Sequence, residues 1–159
     1  MAGADYIQIL IESLEKKIGI LKSLQEQSNI QADILDAKDF DDESFDKTMD
    51  IKERLIDDLQ FIDNGFDAVY NRVREELVNN KQAHRLSIER MQNLIREITD
   101  LSSGIQATEQ RNDLKLKNRF KAERAQLRQS KATVQAVTGY YRTMTSSGYP
   151  QAQFMDHKQ

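Results

Sequence analysis

Between Leu86 and Val137 the chain holds no proline and a single glycine, Gly104, and its apolar residues recur at helical intervals. Met91, Leu94, Ile98, Leu101 and Ile105 alternate spacings of three and four, the seam of a coiled coil. Strands need a period of two, so a chain built around this stretch is confined to packing helix on helix. The rhythm thins after Ile105. Thr108 and Asn112 take the next positions, and only Leu116, Phe120, Leu127 and Val134 keep the face beyond them. The first half of such a helix suits packing inside the molecule. The second is apolar enough to meet a partner and too thin to hold a core.

Two earlier stretches carry the same period. Ile7, Leu10, Leu14, Leu21 and Leu24, with Ile11 and Ile18 beside them, predict a helix over about 5–37 whose stripe weakens from Ser28 and returns at Ile34 and Leu35. Leu55, Ile56, Leu59, Ile62, Phe66, Val69, Tyr70, Val73 and Leu77 predict a second over about 42–78. That stripe is broad enough to face two neighbours, which makes the second helix the expected central element. The acidic run 39–46 lacks the calcium-loop spacing: counted from Asp39, serine and aspartate fall where glycine and glutamate are needed. Its acids suit a helix start, with Asp41 or Asp42 as the cap. Asn79-Asn80 is the expected turn. Ile98, Leu101, Ile105 and Thr108 keep phase across Gly104, so a third helix is expected unbroken over about 84–138. The predicted fold is all-α: an elongated antiparallel bundle or coiled coil of three long helices in residues 1–138. Gly139 is a natural helix stop. It opens a flexible tail, 139–159, in which Tyr140, Tyr141, Met144, Tyr149, Phe154 and Met155 stand among small and polar residues.

Composition narrows the function. Of 159 residues, 38% are hydrophobic and 31% charged, a profile for long amphipathic helices with solvated faces. There is no cysteine, hence no disulfide and no thiolate metal site. Neither histidine, His84 nor His157, has a neighbour suited to share a metal, and no phosphate loop, nucleophile elbow or dinucleotide fingerprint occurs. These observations argue against an enzyme and against a cofactor. No apolar run spans a bilayer and no signal peptide opens the chain, so a cytoplasmic protein is expected. Residues 1–78 hold 9 basic and 19 acidic side chains; residues 105–159 hold 10 and 4. The basic positions Lys115, Lys117, Arg119, Lys121, Arg124, Arg128 and Lys131 point around the helix rather than along one face, and the net charge is −3. Nucleic acid is therefore not an expected partner.

The segment Leu94–Asn112, with its Ile-Gln and Glu-Gln-Arg-Asn before a basic helix, resembles the FlgN family of flagellar export chaperones. The second helix with its acidic lead-in, and the ending from Tyr140-Tyr141-Arg142 to Gln153-Phe154-Met155-Asp156, are similar to that family as well. The resemblance implies a cytosolic flagellar type III secretion chaperone that is not an enzyme. Its clients would be the C-terminal helical segments of hook–filament junction proteins, kept from premature association and brought to the export apparatus. It places client binding on the far part of the long helix, at Leu116, Phe120, Leu127, Val134, Val137, Tyr140 and Tyr141. The alternatives are a chaperone for another flagellar client and a structural or tethering coiled coil, in which the thin stripe would be the seam of a homodimer.

Overall fold

The computed structural model describes residues 2–121 and 135–140. It is all-helical, with three long helices packed against each other: α1 (Ala2–Asp36), α2 (Asp42–Asn79) and α3 (Arg85–Arg119). Residues 135–140 form a short further helical segment. Asp41 caps α2, its carboxylate accepting from the Ser44 backbone N–H at 3.1 Å and from the Ser44 hydroxyl at 2.7 Å. These bonds hold the Asp41 carboxyl below its ordinary range. At the other end Glu76 gathers the turn, accepting from Asn80 at 2.8 Å and lying 3.1 Å from His84 Nε2. α3 then runs unbroken through Gly104.

The central helix is α1, which corrects the expectation that the second helix would hold that place. α1 packs against both α2 and α3, and those two hardly meet. The reason lies in Ile11 and Ile18. Together with Ile7, Leu10, Leu14, Leu21 and Leu24 they widen the buried arc of α1 enough to serve two neighbours. Cross-contacts fix the directions. Arg72 meets Tyr6, Asp63 meets Lys17 and Lys52 meets Gln31, so α2 runs back along α1. Arg90 meets Glu15, Glu97 meets Lys22 and Lys115 meets Asp36, so α3 runs the same way as α1.

The core has two parts. The larger joins Ile7–Leu24 of α1 to Ile56, Leu59, Phe66, Tyr70, Val73 and Leu77 of α2 and to Met91–Ile105 of α3. The smaller, at the far end, holds Leu35, Phe45, Met49 and Leu116, with Ile34, Phe40 and Phe120 against it.

The third helix ends at Arg119 rather than near 138. Nothing local stops it, since neither proline nor glycine stands there. Tertiary contacts do so instead. Phe120 turns edge-on to Phe40 with ring centroids 4.3 Å apart. Arg119 donates to the Leu35, Ala37 and Lys38 carbonyls at 3.2, 2.8 and 2.8 Å. α1 has no basic residue in its own last turn, and Arg119 supplies the missing cation to its carbonyl end.

Candidate functional site

Two lysines lie inside the bundle, each within a cluster of polar side chains. The first lies between the two parts of the core, where all three helices give up apolar residues at one level. α1 contributes Ser28 and Gln31, α2 contributes Lys52, and α3 contributes Thr108, Glu109 and Asn112, all buried. Lys52 and Glu109 are both 0% exposed and meet at 2.5 Å. The Ser28 hydroxyl donates to the same Glu109 oxygen. Lys52 also donates to Gln31 Oε1 at 2.8 Å, and Asn112 Nδ2 donates to the Ser28 carbonyl at 2.8 Å. Burial pushes the Lys52 ammonium below its usual range, against the pull of the Glu109 carboxylate. Glu109 Oε2 and Asn112 Oδ1 have no hydrogen-bond partner among the described residues.

This layer corrects the reading of Thr108 and Asn112 as the start of an open, weakening stripe. They face inward: Thr108 accepts from Gln25, Glu109 meets Lys52 and Ser28, and Asn112 donates to the Ser28 carbonyl.

The second place is at Lys17, also buried. Its ammonium meets Asp63 Oδ1 at 2.7 Å, and the Tyr140 hydroxyl donates to the other oxygen, Oδ2, at 2.6 Å. Burial lowers the Lys17 pKa, opposed by Asp63 and by Asp67 beside it. Asp67 is pushed up, first by burial and then by repulsion from Asp63. Here the ionic contact is met by the segment 135–140. Val137, within it, is 0% exposed and belongs to the main core, and Tyr140 packs against that core half-buried.

The residues expected to bind a partner thus fall into two groups. Leu116 is 2% exposed within the small cluster, and Phe120 packs on its edge. Val137 and Tyr140 lie at the level of Lys17. Asp36, which meets Lys115, is 19 residues further along α1, about 28 Å at 1.5 Å per residue. Tyr140 thus lies about that far back along α1 from the level where α3 ends. The described members Leu116 and Val137 are covered by the bundle's own residues in this structure. Leu127, Val134 and Tyr141 lie outside the described residues.

Sequence reasoning missed Lys52, Glu109, Lys17 and Asp63. Lys52 had a legible signal, since it sits in the apolar phase of α2 between Met49 and Ile56. Among the described residues, large exposed apolar side chains are scattered: Phe61 at 79%, Leu86 at 74% and Leu114 at 60% stand on different parts of the bundle. No described helix is long and apolar enough to cross a membrane, and no described group of three or more acids and histidines is arranged to hold a metal ion. No family model, curated protein or solved structure matches this chain.

Proposed function

We propose that this chain is a helix-binding chaperone, a cytosolic flagellar type III secretion chaperone of the FlgN kind. Its clients are the C-terminal helical segments of hook–filament junction proteins, with the export apparatus as a further contact. One observation supports the reading most: the α1–α2 core carries a seat for an amphipathic helical segment, marked by buried Val137 and by the Tyr140–Asp63 bond. Helix-on-helix docking through a few apolar anchors at helical spacing is how such clients are held. The resemblance of Leu94–Asn112 supplies the client class. The long helices belong, in this reading, to an elongated coiled coil whose antiparallel pair is α1 and α2. Of the expected binding residues, Val137 and Tyr140 mark the seat, with Leu127, Val134 and Tyr141 as neighbours in sequence. Leu116 and Phe120 close the bundle's far end.

The test is calorimetric titration of the full-length chain with synthetic C-terminal segments of junction proteins, with a filament-cap segment as the comparison. A one-to-one complex of about micromolar affinity or tighter with a junction segment is expected. If no junction segment binds, the client assignment fails. If the chain forms a tight dimer in sedimentation and takes no segment, a tethering protein replaces the chaperone.

A further inference from the structure

Residues 135–140 pack on the main core, with Val137 fully buried in it and Tyr140 against it. α2 and α3 each pack mainly on α1 and meet each other through the Lys52–Glu109 pair. At the Lys52 level the inward contacts are made by side chains from all three helices. At the Lys17 level the inward contact is completed by Tyr140 of the segment 135–140. Among its described residues, one buried β-branched side chain, Val137, and one phenol three residues later, Tyr140, engage the core. Positions three apart share a helix face, so both anchors reach the core together.

We propose that residues 135–140 are an internal stand-in for the partner helix, occupying its seat until the partner displaces them. This rests on the helix-binding reading above and specifies its mechanism. The chemistry of the seat also defines the partner. It takes an amphipathic helix that buries an aliphatic side chain where Val137 sits. Three residues on, that helix places a hydrogen-bond donor against Asp63 Oδ2, the oxygen that Lys17 leaves open to Tyr140. Lysine, arginine or tyrosine meets that need, whereas glutamate or aspartate faces the carboxylates of Asp63 and Asp67. A partner must overcome the intramolecular contact, so its apparent affinity is reduced by the fraction of time the seat is closed.

The experiment uses the full-length chain and, as probe, a fluorescein-labelled peptide with the sequence of residues 131–144. Val137→Asp should expel the internal segment, and the variant should bind the peptide at least about tenfold more tightly than the wild type. The same peptide carrying V137D should bind neither protein. Equal binding to wild type and V137D, or binding to neither, overturns the proposal. Should V137D lose its helical circular dichroism, Tyr140→Phe decides: a several-fold gain in peptide affinity is expected, and no gain overturns it. A wild-type dimer that becomes monomeric in V137D assigns the segment to a second copy and also overturns it. Titrating junction segments on the same proteins separates the two claims. If the peptide behaves as expected and no junction segment binds, displacement stands and the client assignment falls. If junction segments bind wild type and V137D alike, the client assignment stands and displacement falls.

Discussion

Lys52 and Lys17 are both buried lysines paired with a carboxylate, and their surroundings differ in one respect. Lys52 is walled by three long helices, each giving polar side chains to the same layer. The Lys17–Asp63 pair joins α1 to α2 and is met by Tyr140 of the segment 135–140, while α3 passes α1 at the same level through Arg90–Glu15 and Glu97–Lys22. A buried charge is tolerated only when its partners stay in place. The first layer can keep its partners only while the whole bundle is folded. If residues 135–140 are displaced as proposed, the second loses one of them while α1, α2 and α3 stay together. On that proposal one is a fixed layer and the other an openable one.

The largest break in that comparison is Glu109→Ala. It strands the Lys52 ammonium and should destabilise the bundle by about 3–5 kcal/mol, measured by urea unfolding. The double variant Lys52→Met with Glu109→Leu should be neutral or more stable by about 1–4 kcal/mol, because the desolvation of both charges disappears. If the double variant is as damaged as the single one, the ionic pair is not what makes the layer sensitive. Next comes Arg119→Ala, which frees three carbonyls at the end of α1 and should cost about 1–2 kcal/mol. The loss should appear as faster amide exchange in the last turn of α1.

Lys17→Met sharpens the comparison through pH. The folded ammonium of Lys17 releases its proton below the 10.5 of the free group. Between those two values the unfolded chain binds more protons, so wild-type stability rises with pH there. Below the folded value that gain is absent. The methionine variant should show a flatter alkaline slope in unfolding midpoints, and an unchanged slope would show that Lys17 does not titrate in that window. The smallest effect is expected for Lys115→Ala. Its contact with Asp36 is solvent-exposed, and its loss should change stability by less than about 1 kcal/mol.

The helical class was legible because period and composition agree along three stretches. The cap at Asp41 and the passage through Gly104 were legible for local reasons: a carboxylate three residues before a free N–H, and an apolar phase that a glycine does not shift. The polar layer was not. In each helix taken alone, Ser28, Lys52 and Asn112 look like lapses in a stripe. They form a layer only once the three lapses are brought to one level, which is a fact about pairing. The end of α3 was hidden for the same reason, because Phe40 and the α1 carbonyls that engage Phe120 and Arg119 lie some eighty residues away in sequence. The candidate site was half visible. Val137 and Tyr140 were singled out as apolar residues in want of cover, but the cover comes from this chain.

Native-state hydrogen exchange tests the distinction between fixed and openable layers most directly. Amides of residues 135–140 should open about a hundredfold or more often than those of Ser28, Lys52 and Glu109, which should exchange only through global unfolding. Urea should speed the second group strongly and the first weakly. If residues 135–140 are protected to the same level as Glu109 and respond to urea in the same way, the segment is a permanent part of the bundle and the seat does not open.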